Sequence, residues 1–360
     1  MKVAHYVERW LELSAGFVAA QVARSRHDAV VISRDGWINR DSFPVSSGYS
    51  LHRVRDRVPD RLKYAALRGQ LQPLLVRRHV DLVHVHFGYA AKDVIDVTRR
   101  RPFVLSLHGH DITGLLREQP DHYAGVPHAV DAVVVPSRFL AAAAEQAGFA
   151  PDAIRVIPSG VDTSFFTPTP LPEGPPTVAF VGRLVEKKGL DVLLAAWPQV
   201  RTAVAGAKLV VLGDGPLAHL LEIEDSTVAH AKPNAGRRHQ QVRDLMRSAR
   251  VVASPSRTAS SGDSESLLLV NLEAGASGRP VVSTRHGGIP EYVEDDINGI
   301  LVAEGNADEL ATALIRVLRD DALATRLAGD GVEQAARWDV RHCAAKVDDL
   351  YEELRARPRK

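Results

Sequence analysis

Short apolar runs alternate with helical patterns from one end of the chain to the other. Lys2–Val7 reads as a strand, followed by a helix over Gly16–Arg24 and a strand at Ala29–Ser33. Leu67, Leu71, Leu74 and Leu75 fall on one helical face, which predicts a helix over Arg61–Arg78. Strands at Leu82–His86, Phe103–Leu107, Ala132–Pro136 and Arg155–Pro158 follow, with helices at Lys92–Arg99 and Ser137–Ala147. Buried strands separated by helices predict a parallel sheet covered on both faces.

The rhythm breaks once. Residues 167–176 hold five prolines in ten positions, a density that neither a helix nor a central strand accommodates, so they read as an extended linker. Beyond it the alternation restarts. Strands are expected at Val178–Gly182, Lys208–Leu212, Val251–Pro255, Pro280–Ser283 and Gly299–Val302. Helices are expected at Gly189–Val200, Gln240–Ala249, Leu267–Ala276 and Ala307–Arg319. A final amphipathic helix covers Trp338–Leu354. The fold class is therefore α/β, with two Rossmann-like, doubly wound parallel-sheet domains. The expected boundaries are 1–166, a linker at 167–176, a second domain at 177–337 and a terminal helix within 338–360. Ligands of such sheets bind beyond the carboxyl ends of the strands, so a central cleft between the domains is the expected site.

Composition narrows this picture. At 360 residues the chain is long enough for two cores. A net charge of +1 gives no nucleic-acid footprint. A single cysteine, Cys343, excludes an intramolecular disulfide and a cysteine-rich metal site. No apolar run reaches membrane-spanning length, and the first residues read as a strand, which points to a cytoplasmic protein. The arginines of Arg53–Arg78 allow peripheral contact with an anionic membrane surface.

The candidate chemistry lies mostly in the second half. Phe180-Val-Gly-Arg-Leu-Val-Glu-Lys-Lys-Gly189 is a strand, a short loop and a helix start. Arg183 and Lys188 there can neutralise a diphosphate beside a helix N-terminus. No Walker A or dinucleotide fingerprint is present. Glu265 and Glu273 stand eight residues apart, about 12 Å along a helix. That is too far to share one bond as glycosidase carboxylates do, but suits opposite ends of an extended ligand. In the first half, His84 and His86 share a strand face, and His108-Gly-His-Asp111 closes the next strand. Packed histidines, a sugar-contacting His108 and a metal site using His84, His86, His108 and His110 all fit these residues.

Taken in order, these motifs resemble the family 4 retaining nucleotide-sugar glycosyltransferases of GT-B fold. The resemblance rests on Gly182-Arg-Leu-x-x-Lys-Lys-Gly189, Leu212-Gly-Asp-Gly-Pro216, Val252-Ala-Ser-Pro-Ser256, the E-x7-E run ending at Glu273, and Gly278-Arg-Pro-Val-Val through Gly287-Gly-Ile-Pro-Glu291. It implies that Arg183 and Lys188 bind the donor diphosphate, with Gly16, Leu267 and Leu268 contributing backbone contacts. It implies that Glu273 holds the ribose, that Glu265 faces the transferred sugar, and that His108 reaches the donor sugar near its reacting carbon. Asp111 and Ser266 fall in the donor-sugar or acceptor vicinity.

The implied reaction moves a hexose-type sugar from a UDP- or GDP-sugar to a hydroxyl of a carbohydrate, lipid-linked or small-molecule acceptor. It proceeds with retention, without cofactor or metal. Where the family usually has E-G-[LF]-P, this chain has Glu265-Ser-Leu-Leu268, and Ser266 replaces a glycine suited to unusual φ. That departure motivates a second reading, a catalytically impaired nucleotide-sugar-binding protein. A third is a sugar-nucleotide 2-epimerase of the same fold.

Overall fold

Among the described residues, thirteen strands, all paired in parallel, form two separate sheets in a computed structural model of the chain. The structure describes residues 1–10, 15–38, 45–51, 60–98, 101–222, 225–234 and 237–357, with backbone only for 60–64. Leu13 and Ser14, which precede Gly16, and Arg53, Arg55 and Arg57 of the basic stretch lie outside the described residues.

The first sheet contains β1 (Lys2–Val7), β2 (Asp28–Ser33), β3 (Gly48–Ser50), β4 (Leu82–His86), β5 (Phe103–Ser106), β6 (Ala132–Val135) and β7 (Ile154–Val156). Its order is β3-β2-β1-β4-β5-β6-β7. The second contains β8 (Thr177–Val181), β9 (Lys208–Leu212), β10 (Val228–Ala231), β11 (Val251–Ser254), β12 (Val281–Thr284) and β13 (Gly299–Val302), in the order β10-β9-β8-β11-β12-β13. Each order runs outward in both directions from a central pair, β1/β4 in one and β8/β11 in the other. Such reversals leave a crevice at the carboxyl ends of the central strands, where ligands bind.

The central strands are buried on both faces because nearly every residue is apolar: β8 (TVAFV), β11 (VVAS) and β12 (VVST) show no exposed position. The chain divides into one unit of 1–159 with 340–360 and a second of 160–339. Within the first unit the helix Val340–Ala356 covers one sheet face with Val347, Leu350, Tyr351 and Leu354, against Val3, Leu82, Val104 and Val134. Asp348 fixes its register by accepting from the Ser25 hydroxyl at 2.6 Å and the Arg26 N–H at 2.9 Å.

The proline-rich segment 167–176 does not stand between the units. It lies inside the second, held by Arg279, which is fully buried. The Arg279 guanidinium donates to the carbonyls of Met246 (2.7 Å), Gly278 (2.8 Å), Thr169 (3.0 Å) and Pro170 (3.0 Å). Prolines have no N–H with which to pair internally, so an arginine takes up the carbonyls of this stretch. Burial lowers Arg279 to about 10, and it stays charged at neutral pH. Among the described residues no helix is long and apolar enough to cross a membrane.

Arg279→Ala strands several buried carbonyls at once. It is expected to cost about 3 kcal/mol or more in a urea melt followed by tryptophan fluorescence. A loss under about 0.5 kcal/mol, the range of neutral surface changes, would contradict this role.

Candidate active site

In the second unit, the loops leaving β8 and β11 press together. Gly189 makes this possible: its φ is +68°, and a Cβ there would stand 1.9 Å from the Pro255 carbonyl oxygen. It also opens the helix Leu190–Ala203. The close approach places the paired lysines of the first loop on the carboxylates of the second. Lys187 Nζ lies 3.0 Å from Asp263 and Lys188 Nζ 2.8 Å from Glu265.

Both members of the inner pair are mostly out of solvent, with side-chain exposures of 16% for Lys188 and 7% for Glu265. Burial depresses the Lys188 ammonium, and Glu265 restores only part of the loss. Burial alone would raise Glu265, but Lys188 and Lys187 reverse that and hold it below the ordinary carboxylate range. Glu273, on the helix Leu269–Ala276, is raised by burial and pulled back by Arg238 and Lys188. One buried ammonium therefore feels both carboxylates of the E-x7-E run. Arg183, beside Lys188, is exposed and forms no ion pair among the described residues. The site thus holds one exposed cation, Arg183, and two mostly buried ones, Lys187 and Lys188; an incoming anion would stabilise the depressed Lys188 charge.

Ser266 does not occupy a glycine conformation. The described residues with positive φ, glycines apart, are His79, Phe87 and Asp296. The strain that would have argued for an impaired site is absent. Leu268 is the N-cap of the helix Leu269–Ala276 at φ −83° and ψ 92°. Leu267 and Leu268 both bury their side chains in the core of this unit, which leaves their backbones as the groups at the helix entry. Gly213 and Gly215 pack against Gly182 and Leu184, so the Gly-Asp-Gly-Pro turn supports the loop bearing Arg183 and Lys188.

The first unit carries its own cluster at the β1/β4 side. His108 follows β5, with Phe17 and Phe87 at ring-centroid distances of 4.8 and 4.6 Å. Burial lowers its imidazole to about 4, so it is neutral at pH 7. Gly16 begins the helix Gly16–Arg24. A cavity of about 10 Å³ beside His108 has room for a water, not a sugar.

Asp111, expected in the donor-sugar or acceptor vicinity, is only 1% exposed and holds backbone. Its carboxylate accepts the N–H groups of Gly88 (2.9 Å), His108 (2.9 Å) and Gly109 (2.8 Å). It staples the turn after β4 to the loop after β5 and so orders the backbone of His108. Phe87, at φ +70°, is held in this staple.

His5, His84 and His86 form a buried group with ring nitrogens within 4.8 Å of one another. Most of these nitrogens already have partners. His84 bonds Ser106 Oγ at 2.6 Å and the Tyr351 hydroxyl, and His5 Nδ1 meets His86 Nε2 at 3.0 Å. His110 bonds the Tyr89 hydroxyl instead. The histidines thus form a hydrogen-bonded stack that leaves His5 Nε2 and His86 Nδ1 without a hydrogen-bond partner, and burial pushes His84 and His86 well below their ordinary value.

Family models match both halves of the chain: Glycosyltransferase Family 4 over residues 12–165 and Glycosyl transferases group 1 over 175–320. A GDP-mannose-dependent alpha-(1-6)-phosphatidylinositol monomannoside mannosyltransferase of Mycobacterium tuberculosis is 31% identical, covering 93% of this chain and 92% of its own. The chain belongs to glycosyltransferase family 4. It is also similar to the putative colanic acid biosynthesis glycosyltransferase WcaL of Escherichia coli, at 33% identity over 85% of this chain and 75% of the relative. HepE of Anabaena, solved with UDP, superposes with a TM-score of 0.79 at 19% identity, covering 98% of this chain and 100% of that one. A glycosyltransferase of Rickettsia africae gives 0.81 at 18%, covering 99% of both. These likenesses establish the GT-B type of architecture for this glycosyltransferase.

Removing Glu265 leaves Lys188 buried with no direct partner, so Glu265→Gln is expected to destabilise the protein by about 3 kcal/mol at pH 7. The folded-state pKa of Glu265 lies below its unfolded value of about 4.3, so its contribution is complete above that value and is lost as pH falls through the folded one. Urea titrations of both proteins at pH 7 and at about pH 3.5 should therefore show the gap narrowing at acid pH. A gap independent of pH would argue against the pairing.

Proposed function

We propose that this glycosyltransferase moves a hexose from a nucleoside diphosphate sugar to a hydroxyl of a carbohydrate, lipid-linked or small-molecule acceptor, with retention at the anomeric carbon. The observation that carries the reading is the buried Lys188–Glu265 pair beside the exposed Arg183, with Glu273 on the helix that follows, at the carboxyl ends of the central strands.

In this reading the diphosphate lies on Arg183 and Lys188, with Gly16 and the backbone at Leu267 and Leu268 as further contacts. As the glycosidic bond to the phosphate breaks, negative charge grows on the leaving group. A preorganised guanidinium and a desolvated ammonium stabilise that charge more strongly than they stabilise the ground state. Glu273 accepts from the ribose hydroxyls. Glu265, kept ionised by the lysines, faces the sugar, where a carboxylate favours positive charge developing at the anomeric carbon. His108 contributes a neutral imidazole to the sugar, and Ser266 lies beside Glu265.

Two cations on the diphosphate do the work a divalent ion would do, so the reaction needs no metal or other cofactor. The near-full-length relative named as GDP-mannose-dependent makes GDP-mannose the first donor to try. A lipid-linked acceptor would bring the chain to the cytoplasmic membrane face, where the arginines of 53–78 supply positive charge.

The test is a donor-by-acceptor screen with mass-spectrometric readout, starting from GDP-mannose, UDP-glucose and UDP-galactose. Sugar addition in the presence of EDTA, with the donor anomer kept by NMR, is the expected result. Arg183→Ala and Lys188→Ala should each lower kcat/KM by about 100- to 1,000-fold, the range for removing a charge-stabilising donor. Glu273→Ala should act mainly through donor KM. No transfer from any donor, or conversion of donor alone to an epimer, would overturn the reading.

A further inference from the structure

The carboxylate of Glu265 is useful only if its backbone is held in place, and that backbone is gripped from outside its own loop. Its N–H donates to Nε2 of His286 at 3.1 Å, and its carbonyl faces the Gly288 N–H at 3.3 Å. Between these two contacts stands Gly287, at φ +53°, where a Cβ would come within 2.1 Å of the Glu265 carbonyl oxygen. The three residues His286-Gly287-Gly288 therefore close on both polar backbone groups of Glu265, and they can approach only because the middle one has no side chain.

His286 is 2% exposed, and its other nitrogen, Nδ1, lies 2.9 Å from Glu304 Oε1. Nε2 acts as the acceptor of the Glu265 N–H, and Nδ1 is the nitrogen that faces Glu304. A carboxylate on one nitrogen thereby fixes the tautomer that makes the other an acceptor. Glu304 itself is anchored by the Thr258 N–H at 2.8 Å, at the start of the loop that leads to Glu265. One carboxylate just beyond β13 thus holds the beginning of that loop directly and its end through an imidazole.

We propose that His286, oriented by Glu304, is a positioning residue that sets the backbone of Glu265, and through it the sugar-facing carboxylate, for transfer. The inference rests on the donor-site reading given above. It predicts that the imidazole matters as a hydrogen-bond acceptor rather than as a volume. Glutamine carries its carbonyl oxygen near the Nε2 position and can take the same N–H, whereas alanine cannot.

Two measurements test this. The first needs no substrate: hydrogen–deuterium exchange of the peptide spanning 258–268 in the full chain. His286→Ala should speed exchange at the Glu265 amide, and His286→Gln should restore protection. Unchanged exchange in His286→Ala overturns the proposal.

The second is kinetic, with the donor and acceptor that support transfer. His286→Ala should lower kcat by about 10- to 100-fold, the scale of a sub-ångström misplacement of a reacting group, while the Kd for free nucleoside diphosphate stays unchanged. His286→Gln should recover most of the rate, and Glu304→Ala should fall between wild type and His286→Ala. Parallel loss of nucleotide affinity, or a glutamine variant no better than alanine, overturns the proposal. A wild-type chain that transfers no sugar defeats the functional reading alone, and the exchange experiment still decides the role of His286.

Discussion

A lysine and a glutamate that are both mostly out of water are stable together only if neither can drift. The Lys188–Glu265 pair imposes that condition on its surroundings. Lys188 belongs to the turn after β8, and its placement needs Gly189 to let that turn meet Pro255. Glu265 ends the loop after β11, and that loop is tied down along its length. Ser260 bonds Glu186 at 2.7 Å, Arg257 meets Asp191 at 2.7 Å, Lys187 takes Asp263, and Glu304 takes Thr258. The Ser260 and Thr258 bonds are exposed and individually weak, and the other two are partly buried. Their joint effect is to remove the freedom that would let water reach the inner pair.

The fold was legible in the sequence because its strands are short, continuous apolar runs. Leu82–His86, Lys208–Leu212, Gly299–Val302 and the helix Ala307–Arg319 stand where periodicity puts them. Other elements were not legible, for physical reasons. β3 has three residues and β10 is exposed at all but its first position, so neither carries a buried-strand pattern. The helix Asp321–Arg337 buries Ala324, Leu327, Ala328, Gly331 and Ala335, a face made mostly of small residues that gives no leucine stripe. It needs that face because Gly331 rests on Gly275 of the site helix, a Cβ at Gly331 meeting the Gly275 Cα at 3.4 Å. The prolines of 167–176 were legible as a break, but not as a strap, because their partner Arg279 is a hundred residues away in sequence.

The candidate site was legible in its charged residues and not in what holds them. Arg183, Lys188, Glu265 and Glu273 are named by charge, spacing and family pattern. The work of Asp111 could not be read, because a carboxylate beside two histidines suggests ligand chemistry until its backbone partners are visible. His286 and Glu304 are separated by a whole strand, and nothing local in the sequence joins them. The alarm raised by Ser266 was a matter of φ, and only coordinates report φ.

The two units differ in how they are drawn from the chain. The second is one uninterrupted stretch, whereas the first needs residues 340–360 to cover a sheet face made of residues 3–134. During synthesis the strands that emerge first therefore wait longest for their cover. Val3, Leu82 and Val104 stay unprotected until the segment bearing Val347, Leu350 and Tyr351 leaves the ribosome, after the whole second unit. In vectorial synthesis, then, the second unit is complete before the first has its last helix. The nascent N-terminal sheet, with its exposed apolar face, is the stage at which a chaperone would act.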